Sequence, residues 1–266
     1  MNSEENYLEI NRQSWNNKVD IHLNSDFYNQ QGFLEGKSSL NEIELPLFCD
    51  LNGKSVLHLQ CHFGQDSISL SRFGAEVTGV DLSDKAIEKA REIAAKMKSD
   101  TTFICSDIYD LPNHLDQQFD FVYTSYGTIG WLPDLDKWAK IVSRFLKPKG
   151  KFIFVEFHPV VWMFDDDFKS IGYNYSNSGP ITETFEGTYA EKSADLSQEY
   201  VMWNHGISEV VNSLISNGLE LNSLDEFDYS PYNCFKHAIE FEPKKFRIKH
   251  LENKIPMVYA IVATKK

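Results

Sequence analysis

SVLHLQCHFGQDSISLSRFGAEVTGVD, residues 55–81, is the stretch on which the fold turns. It reads as strand, tight loop, helix, strand. Ser55–Leu59 is an apolar strand running into a turn that reaches Gly64. Ile68, Leu70 and Phe73 stripe the following helix, and Val77 and Val80 mark a second strand that closes on Asp81. In a nucleotide-binding α/β fold, the loop after the first strand brings a ligand against backbone N–H groups and a helix N-terminus. An acid closing the second strand can hold both ribose hydroxyls. The stretch therefore predicts a site for an adenosyl ligand.

Downstream, the pattern repeats. Ser83 caps a helix whose buried stripe is Ala86, Ile87, Ala90, Ile93, Ala94 and Met97. Thr101–Cys105 is a third strand ending at Ser106-Asp107. Phe119–Tyr123, nearly all apolar, fits a parallel strand buried on both faces. The loop TSYGTIGWLPD follows, then a helix Leu135–Leu146 stopped by Pro148 and Gly150, then a fifth strand Lys151–Phe157. Five strands alternating with helices predict a doubly wound, mostly parallel α/β sheet. Ligands of such sheets bind at the carboxyl ends of the strands. Here those ends are Gln60–Gly64, Asp81, Asp107, Thr124–Gly127 and Glu156–Pro159.

Residues 159–205 break the alternation. They hold Asp165-Asp166-Asp167 and many aromatics, Trp162, Tyr173 and Trp203 among them. The length marks an insertion that would cover the substrate side of the site. ITETFEGTYA and QEYVMW fit two strands of a small added sheet. A helix Ile207–Ser216, a strand Leu219–Tyr229, a mixed polar stretch 230–254 and an apolar strand Pro256–Thr264 finish the chain. No helix separates the last two strands, which suggests an antiparallel closing pair. Upstream, residues 4–22 have helical spacing, 24–38 read as a loop with aromatic anchors, and 40–49 as a short helix. This preamble, 1–49, fits a helical lid over the main domain 50–266 as well as it fits simple packing.

Composition bounds the function. The 266 residues are 42% hydrophobic and 24% charged, ordinary for a water-soluble domain. A formal charge of −13 argues against nucleic acid and against an anionic membrane surface. Lys244, Lys245, Arg247 and Lys249 read as a solvated face. The N-terminus MNSEENYLEI is polar and acidic, unlike a signal peptide, and no apolar run is long enough to span a membrane. Four cysteines without CxxC pairs or zinc spacing fit free thiols in a reducing cytoplasm. No metal site follows from the spacing of acids and histidines.

The ordered features resemble the class I S-adenosylmethionine-dependent methyltransferases over about residues 50–158, and in outline over 206–266. The resemblance implies a Rossmann-like seven-stranded sheet whose last two strands form an antiparallel hairpin. In that family an acid and a glycine-rich run follow strand one, an acid ends strand two, and an acid with an apolar neighbour after strand three reads the adenine. Asp81 and Asp107-Ile108 stand in the last two places. The loop LHLQCHFG departs from the pattern. Aligned on Gly64, it has His58 where an acid is usual, and Gln60 and His62 where glycines are usual. LQCHFGQD, VYTSYG…WLPDL and VEFHP look like a subset of the family.

The resemblance implies S-adenosylmethionine as cofactor, with Gln60, Cys61, His62, Gly64, Asp81, Leu82, Asp107, Ile108 and Ser125 as its binding residues. Asp81 doubles as a possible cap for the next helix. Asp66, in the first turn of its helix, serves the dipole or the ligand. His158, beside Glu156, is the residue to test as general base or substrate anchor, against a purely structural role. Trp15, Phe27, Tyr28, Trp131, Trp162, Tyr173 and Trp203 are candidates for an aromatic pocket. The implied reaction is in-line methyl transfer to a small organic acceptor. The alternatives are a nicotinamide-dependent oxidoreductase, which also uses a strand-end acid, and a nonenzymatic adenosyl-ligand-binding domain.

Overall fold

A computed structural model describes residues 6–266. The seven-stranded sheet forms because its central strands have no face to give to water. β1 (Ser55–Leu59) is buried at all five positions and lies between β2 (Glu76–Asp81) and β4 (Phe119–Ser125), parallel to both. β3 (Thr102–Cys105) flanks β2, and β5 (Leu146–Phe157) flanks β4. β11 (Val258–Lys265) then pairs antiparallel with β5 on one side and with β8 (Leu219–Phe227) on the other. The spatial order is β3-β2-β1-β4-β5-β11-β8. It is the mostly parallel sheet with an antiparallel closing pair expected from the sequence, β11 alone running against the other strands. The switch of direction beside β1 opens a crevice at the carboxyl ends of β1 and β4.

Helices cover both faces. α3 (Gln65–Arg72) and α4 (Asp84–Met97) follow β1 and β2, and the Ser83 hydroxyl accepts the Ala86 N–H to start α4. α5 (Leu135–Phe145) opens on the Asp134 cap and buries Leu135, Trp138, Ala139, Ile141, Val142 and Phe145. With α6 (Ile207–Ser216) it fills the core on one face, where Trp138 meets Phe152 and Phe154 edge-on. Phe73 departs from the expected stripe: it caps the end of α3 and is 45% exposed.

The other differences have local causes. β5 starts five residues before Lys151, through a bulge in which a Cβ on Gly150 would lie 2.9 Å from the Lys147 carbonyl. The expected helix at 40–49 shrinks to one tight turn, Leu45–Leu47, because Pro46 offers no N–H to a longer one. Within 24–38 a short α2 (Gln30–Leu34) forms on the Asn29 cap. β6 (Ile181–Glu186) and β7 (Ser197–Met202) are the two strands of the inserted sheet, antiparallel to each other. The polar stretch 230–254 holds a further hairpin, β9 (Ala238–Glu242) and β10 (Lys245–Ile248). β9 is mostly exposed, so no hydrophobic alternation announced it.

The N-terminal helix α1 (Tyr7–Leu23) packs on α4 and β7. The expected start at residue 4 and part of the acidic N-terminal stretch lie outside the described residues. Asn11 fastens α1 to the insertion: its amide donates to the Val201 carbonyl (2.8 Å) and its oxygen accepts the Val201 N–H (2.9 Å). Arg12 reaches Asp84 at 2.6 Å, and the Ser83 hydroxyl donates to Asn16. Among the described residues, no helix is long and apolar enough to cross a membrane.

Candidate functional site

The loop after β1 is shaped by its backbone. Gln60 and His62 have φ of 55° and 51°, and Gly64 has φ of 78°. Positive φ is costly for the two larger residues and free for glycine. Gly64 is also forced by space, since a Cβ there would lie 2.5 Å from the Phe103 ring. The strain is held by tertiary contacts. The Cys61 N–H donates to Val80 O (2.9 Å), and the His62 N–H donates to Asp81 Oδ2 (2.7 Å). The other oxygen, Asp81 Oδ1, accepts the Ser83 N–H (2.8 Å). Asp81 thus ties the first loop to the start of α4 while facing the crevice. Burial pushes its carboxyl up to about 6, against the pull of the N–H donors.

The loop after β4 is organised by a second carboxylate. Glu156, 2% exposed, accepts N–H groups from Gly127, Thr128 (2.7 Å), Ile129 (3.2 Å) and Phe157 (2.7 Å), and the Thr128 hydroxyl (2.9 Å). A buried carboxylate that receives only donors fixes their backbone in place. The Gln60 amide donates to Thr128 O (2.8 Å), which links the two loops. Gln60 Oε1 is buried and has no donor among the described residues.

These loops open into one cavity of about 820 Å³, large for a single drug-sized ligand. Gln60, Cys61, His62, Gly64, Asp81, Leu82, Asp107, Ile108 and Ser125 all line it. So do Asp66, Glu156 and His205, and Trp15, Phe27, Tyr28, Trp131, Trp162 and Trp203; Tyr173 does not. Trp15 and Trp131 meet at 5.3 Å between centroids, and Trp15 lies 5.3 Å from the His62 ring. Tyr28 and Tyr189 share a hydroxyl–hydroxyl hydrogen bond. Burial raises the Asp66 and Asp107 carboxyls. The Cys61 thiol is pushed up by burial and by Asp81, which keeps it protonated and poorly nucleophilic.

His158 is a correction. It does not line the cavity. Its Nε2 meets Glu226 Oε1 at 2.7 Å and its Nδ1 accepts the Val160 N–H at 3.2 Å. The ring reaches over β11 toward β8, because the chain at the end of β5 is held to Met257 by the His158 N–H. Both ring nitrogens are occupied, and burial depresses its basicity.

Reading the sequence missed Lys18 in the cavity wall, and His22 and Glu44 buried behind that wall. Lys18 is 6% exposed and lines the cavity, its ammonium 4.6 Å from the centroid of Trp15 and 5.3 Å from that of Trp131. The available signal was a cation at helical spacing from Trp15 and His22, on the face that a surface helix buries. His22 Nδ1 and His62 Nε2 share a hydrogen bond of 3.0 Å. Burial and the nearby Lys18 hold both imidazoles neutral, with His22 at about 3. Glu44, fully buried, accepts the Tyr126 hydroxyl at 2.6 Å and is pushed up to about 7 by burial. Among the described residues, no cluster of three His, Cys, Asp or Glu side chains could hold a metal ion.

A family model described as a methyltransferase domain matches residues 56–150, which run from β1 into β5 and carry the Asp81 and Asp107 corners of this cavity. Residues 56–150 belong to the methyltransferase-domain family. The seven-stranded sheet with its antiparallel closing pair has the fold of the class I S-adenosylmethionine-dependent methyltransferases. A ubiquinone biosynthesis O-methyltransferase of Coxiella burnetii is 31% identical over 135 residues, 50% of this chain and 57% of that protein. The match therefore spans little more than half the length of that curated relative. Crystal structures of methyltransferases from Mesorhizobium loti (TM-score 0.56, 20% identity, 87% of this chain and 100% of that one) and Clostridium acetobutylicum (0.58, 15%, 93% and 95%) share the fold. Outside the methyltransferase-domain match lie α1 and the β6–β7 insertion, which supply much of the aromatic wall.

The residues present fit the family's cofactor. Two strand-end carboxylates, Asp81 and Asp107, face the cavity with Ile108 beside the second. The orphaned Gln60 Oε1 offers an acceptor where the first loop would meet an ammonium or hydroxyl donor.

Proposed function

We propose that this protein is an S-adenosylmethionine-dependent methyltransferase acting on a small organic acceptor. The observation that carries the reading is the convergence of the first loop and the strand ends at Asp81, Asp107 and Ser125 on one cavity with an aromatic far wall. Asp81 would accept the ribose hydroxyls. Asp107 and Ile108 would hold the adenine. Gln60, Cys61, His62 and Gly64 would lie along the methionine moiety, with Leu82 and Ser125 flanking it.

When bound, the cofactor supplies a methyl group already activated on a sulfonium. The protein's task is then to bring the acceptor atom in line and exclude water. Aromatic faces such as those of Trp15 and Trp131 tolerate a positive sulfur. The preamble 1–49 and the insertion 159–205 would act together as the cover of the substrate side, a role supported by the Asn11–Val201 pairing. The charge of −13 favours a small acceptor over nucleic acid. The likeness to the O-methyltransferase of Coxiella burnetii favours oxygen as the acceptor atom.

Calorimetry with S-adenosylmethionine, S-adenosylhomocysteine and NADH tests the reading. Binding of the two adenosyl ligands and not NADH is expected. Binding of NADH alone would turn the reading to the oxidoreductase alternative, and adenosyl binding without turnover in a tritiated-methyl screen of metabolite pools would leave a binding domain.

A further inference from the structure

Lys18 is the cavity's unexplained charge. It sits on α1, one turn from Trp15 and one from His22, and is only 6% exposed. Its shift has burial as its sole cause, so no protein carboxylate compensates it among the described residues. Its neighbours toward the first loop, His22 and His62, are neutral and share their own hydrogen bond. What faces the ammonium is aromatic: Trp15 at 4.6 Å and Trp131 at 5.3 Å.

Two indole faces stabilise a cation, but they do not replace the hydration lost on burying it. The cation is also in the wrong place for a cavity meant to receive a sulfonium. S-adenosylmethionine brings two further positive groups, the sulfonium and the α-ammonium, and a single negative one, the α-carboxylate. An uncompensated ammonium in the same low-dielectric space repels the first two, and it attracts the third more strongly than it would in water. A carboxylate seated against Lys18 relieves both problems at once.

We infer that Lys18 is the counter-ion for a carboxylate of the bound ligand, held between Trp15 and Trp131 above the first loop. The inference rests on the methyltransferase reading, under which the first source of that carboxylate is the methionyl end of the cofactor. A carboxylate on the acceptor is the second source of the same chemistry. Burial lowers the amine to about 8, so it is still charged at neutral pH in the empty cavity, and a seated anion holds that charge.

The test compares wild type, Lys18→Met and Lys18→Arg by calorimetry, with thermal unfolding confirming that each is folded. The probes are S-adenosylmethionine and its decarboxylated analogue, S-adenosyl-3-methylthiopropylamine. Wild type is expected to prefer the carboxylated cofactor at least tenfold. Lys18→Met loses that tenfold and binds the decarboxylated analogue as wild type does, while Lys18→Arg keeps most of the preference. If cofactor affinity is unchanged in Lys18→Met, benzoate and benzamide are titrated onto the complexes with S-adenosylhomocysteine. A tenfold loss for benzoate alone assigns the carboxylate to the acceptor and supports the inference. No response of either carboxylate to Lys18→Met overturns it and leaves the methyltransferase reading standing. Failure of wild type to bind either adenosyl ligand sinks that reading, and the inference falls with it.

Discussion

Both oxygens of Asp81 accept backbone N–H groups, from His62 and Ser83, and under the proposed function the same carboxylate also takes the ribose hydroxyls. Each carboxylate oxygen has a second lone pair free for a ligand hydroxyl. Asp81→Ala should therefore weaken adenosyl binding at least tenfold, about 1.4 kcal/mol, and also lower the melting temperature. Unchanged affinity in a folded variant would reject the ribose role. Lys18 gives a pH signature. Its folded value of about 8 lies below the ordinary lysine range, so the folded state favours the neutral amine. Stability linked to it is complete above the unfolded value, near 10.5, and is lost as pH falls toward 8. At pH 7 the empty Lys18→Met protein should be more stable than wild type by up to roughly 3 kcal/mol. That gap should close between pH 8 and 10.5 in denaturant titrations. His158→Ala, by contrast, should leave adenosyl affinity within twofold, because the ring is turned to Glu226. A tenfold loss would restore His158 to the site. The sequence exposed Asp81 and Asp107 because a strand end is a fixed place in this fold. It hid Lys18, because a lysine in an amphipathic helix reads as solvated until the covering hairpin is known. His158 misled for the converse reason: its chain position is at the site, while its side-chain direction depends on β8, far along the sequence.

The elements that were read well are those whose pattern is local. β1 and α6 fall at the expected residues, since one is mostly apolar and the other is bounded by Gly206 and Asn217-Gly218. The β9–β10 hairpin escaped because β9 is mostly exposed and leaves no alternation to read, and β10 is only four residues long. At this scale the most telling contact is α1 with β7. Asn11 closes a reciprocal pair with the Val201 backbone, at a place where both residues are buried. Asn11→Ala would leave a buried N–H and C=O unsatisfied, a cost of about 2–3 kcal/mol. Limited proteolysis should then cut within α1 and the insertion together, faster than in wild type, while cleavage elsewhere stays at the wild-type rate. Cutting of α1 alone would mean that the two segments move independently.

For the whole molecule, the doubly wound, mostly parallel sheet was legible from the alternation of five strands with helices, and the antiparallel closing pair from the missing helix before the last strand, while the spatial order of the strands was not. The cover was legible only as a length and a wealth of aromatics. Its walls are assembled from contacts between residues far apart in the chain, such as Asn41 with Tyr232, 191 positions on, which no local pattern encodes. Such a cavity links occupancy to global stability. Adenosyl ligand at a hundred times its dissociation constant should add about 2.7 kcal/mol. For a chain of this size that is a rise of roughly 5–10 °C in melting temperature, readable by scanning fluorimetry.

The place of β11 has a consequence for how the chain is made. β8 touches the sheet only through β11, and β5 shows a bare edge until β11 fills it. During synthesis from the N-terminus, residues 159–250 are therefore complete while the strand that anchors their far side is still unmade. For that interval the nascent chain carries an open edge on β5 and a strand, β8, with no partner, features that invite association with other chains. Val258–Lys265 acts as a keystone set last, and a nascent chain stalled before residue 258 should be held by chaperones far more than one stalled after residue 265 has cleared the ribosome.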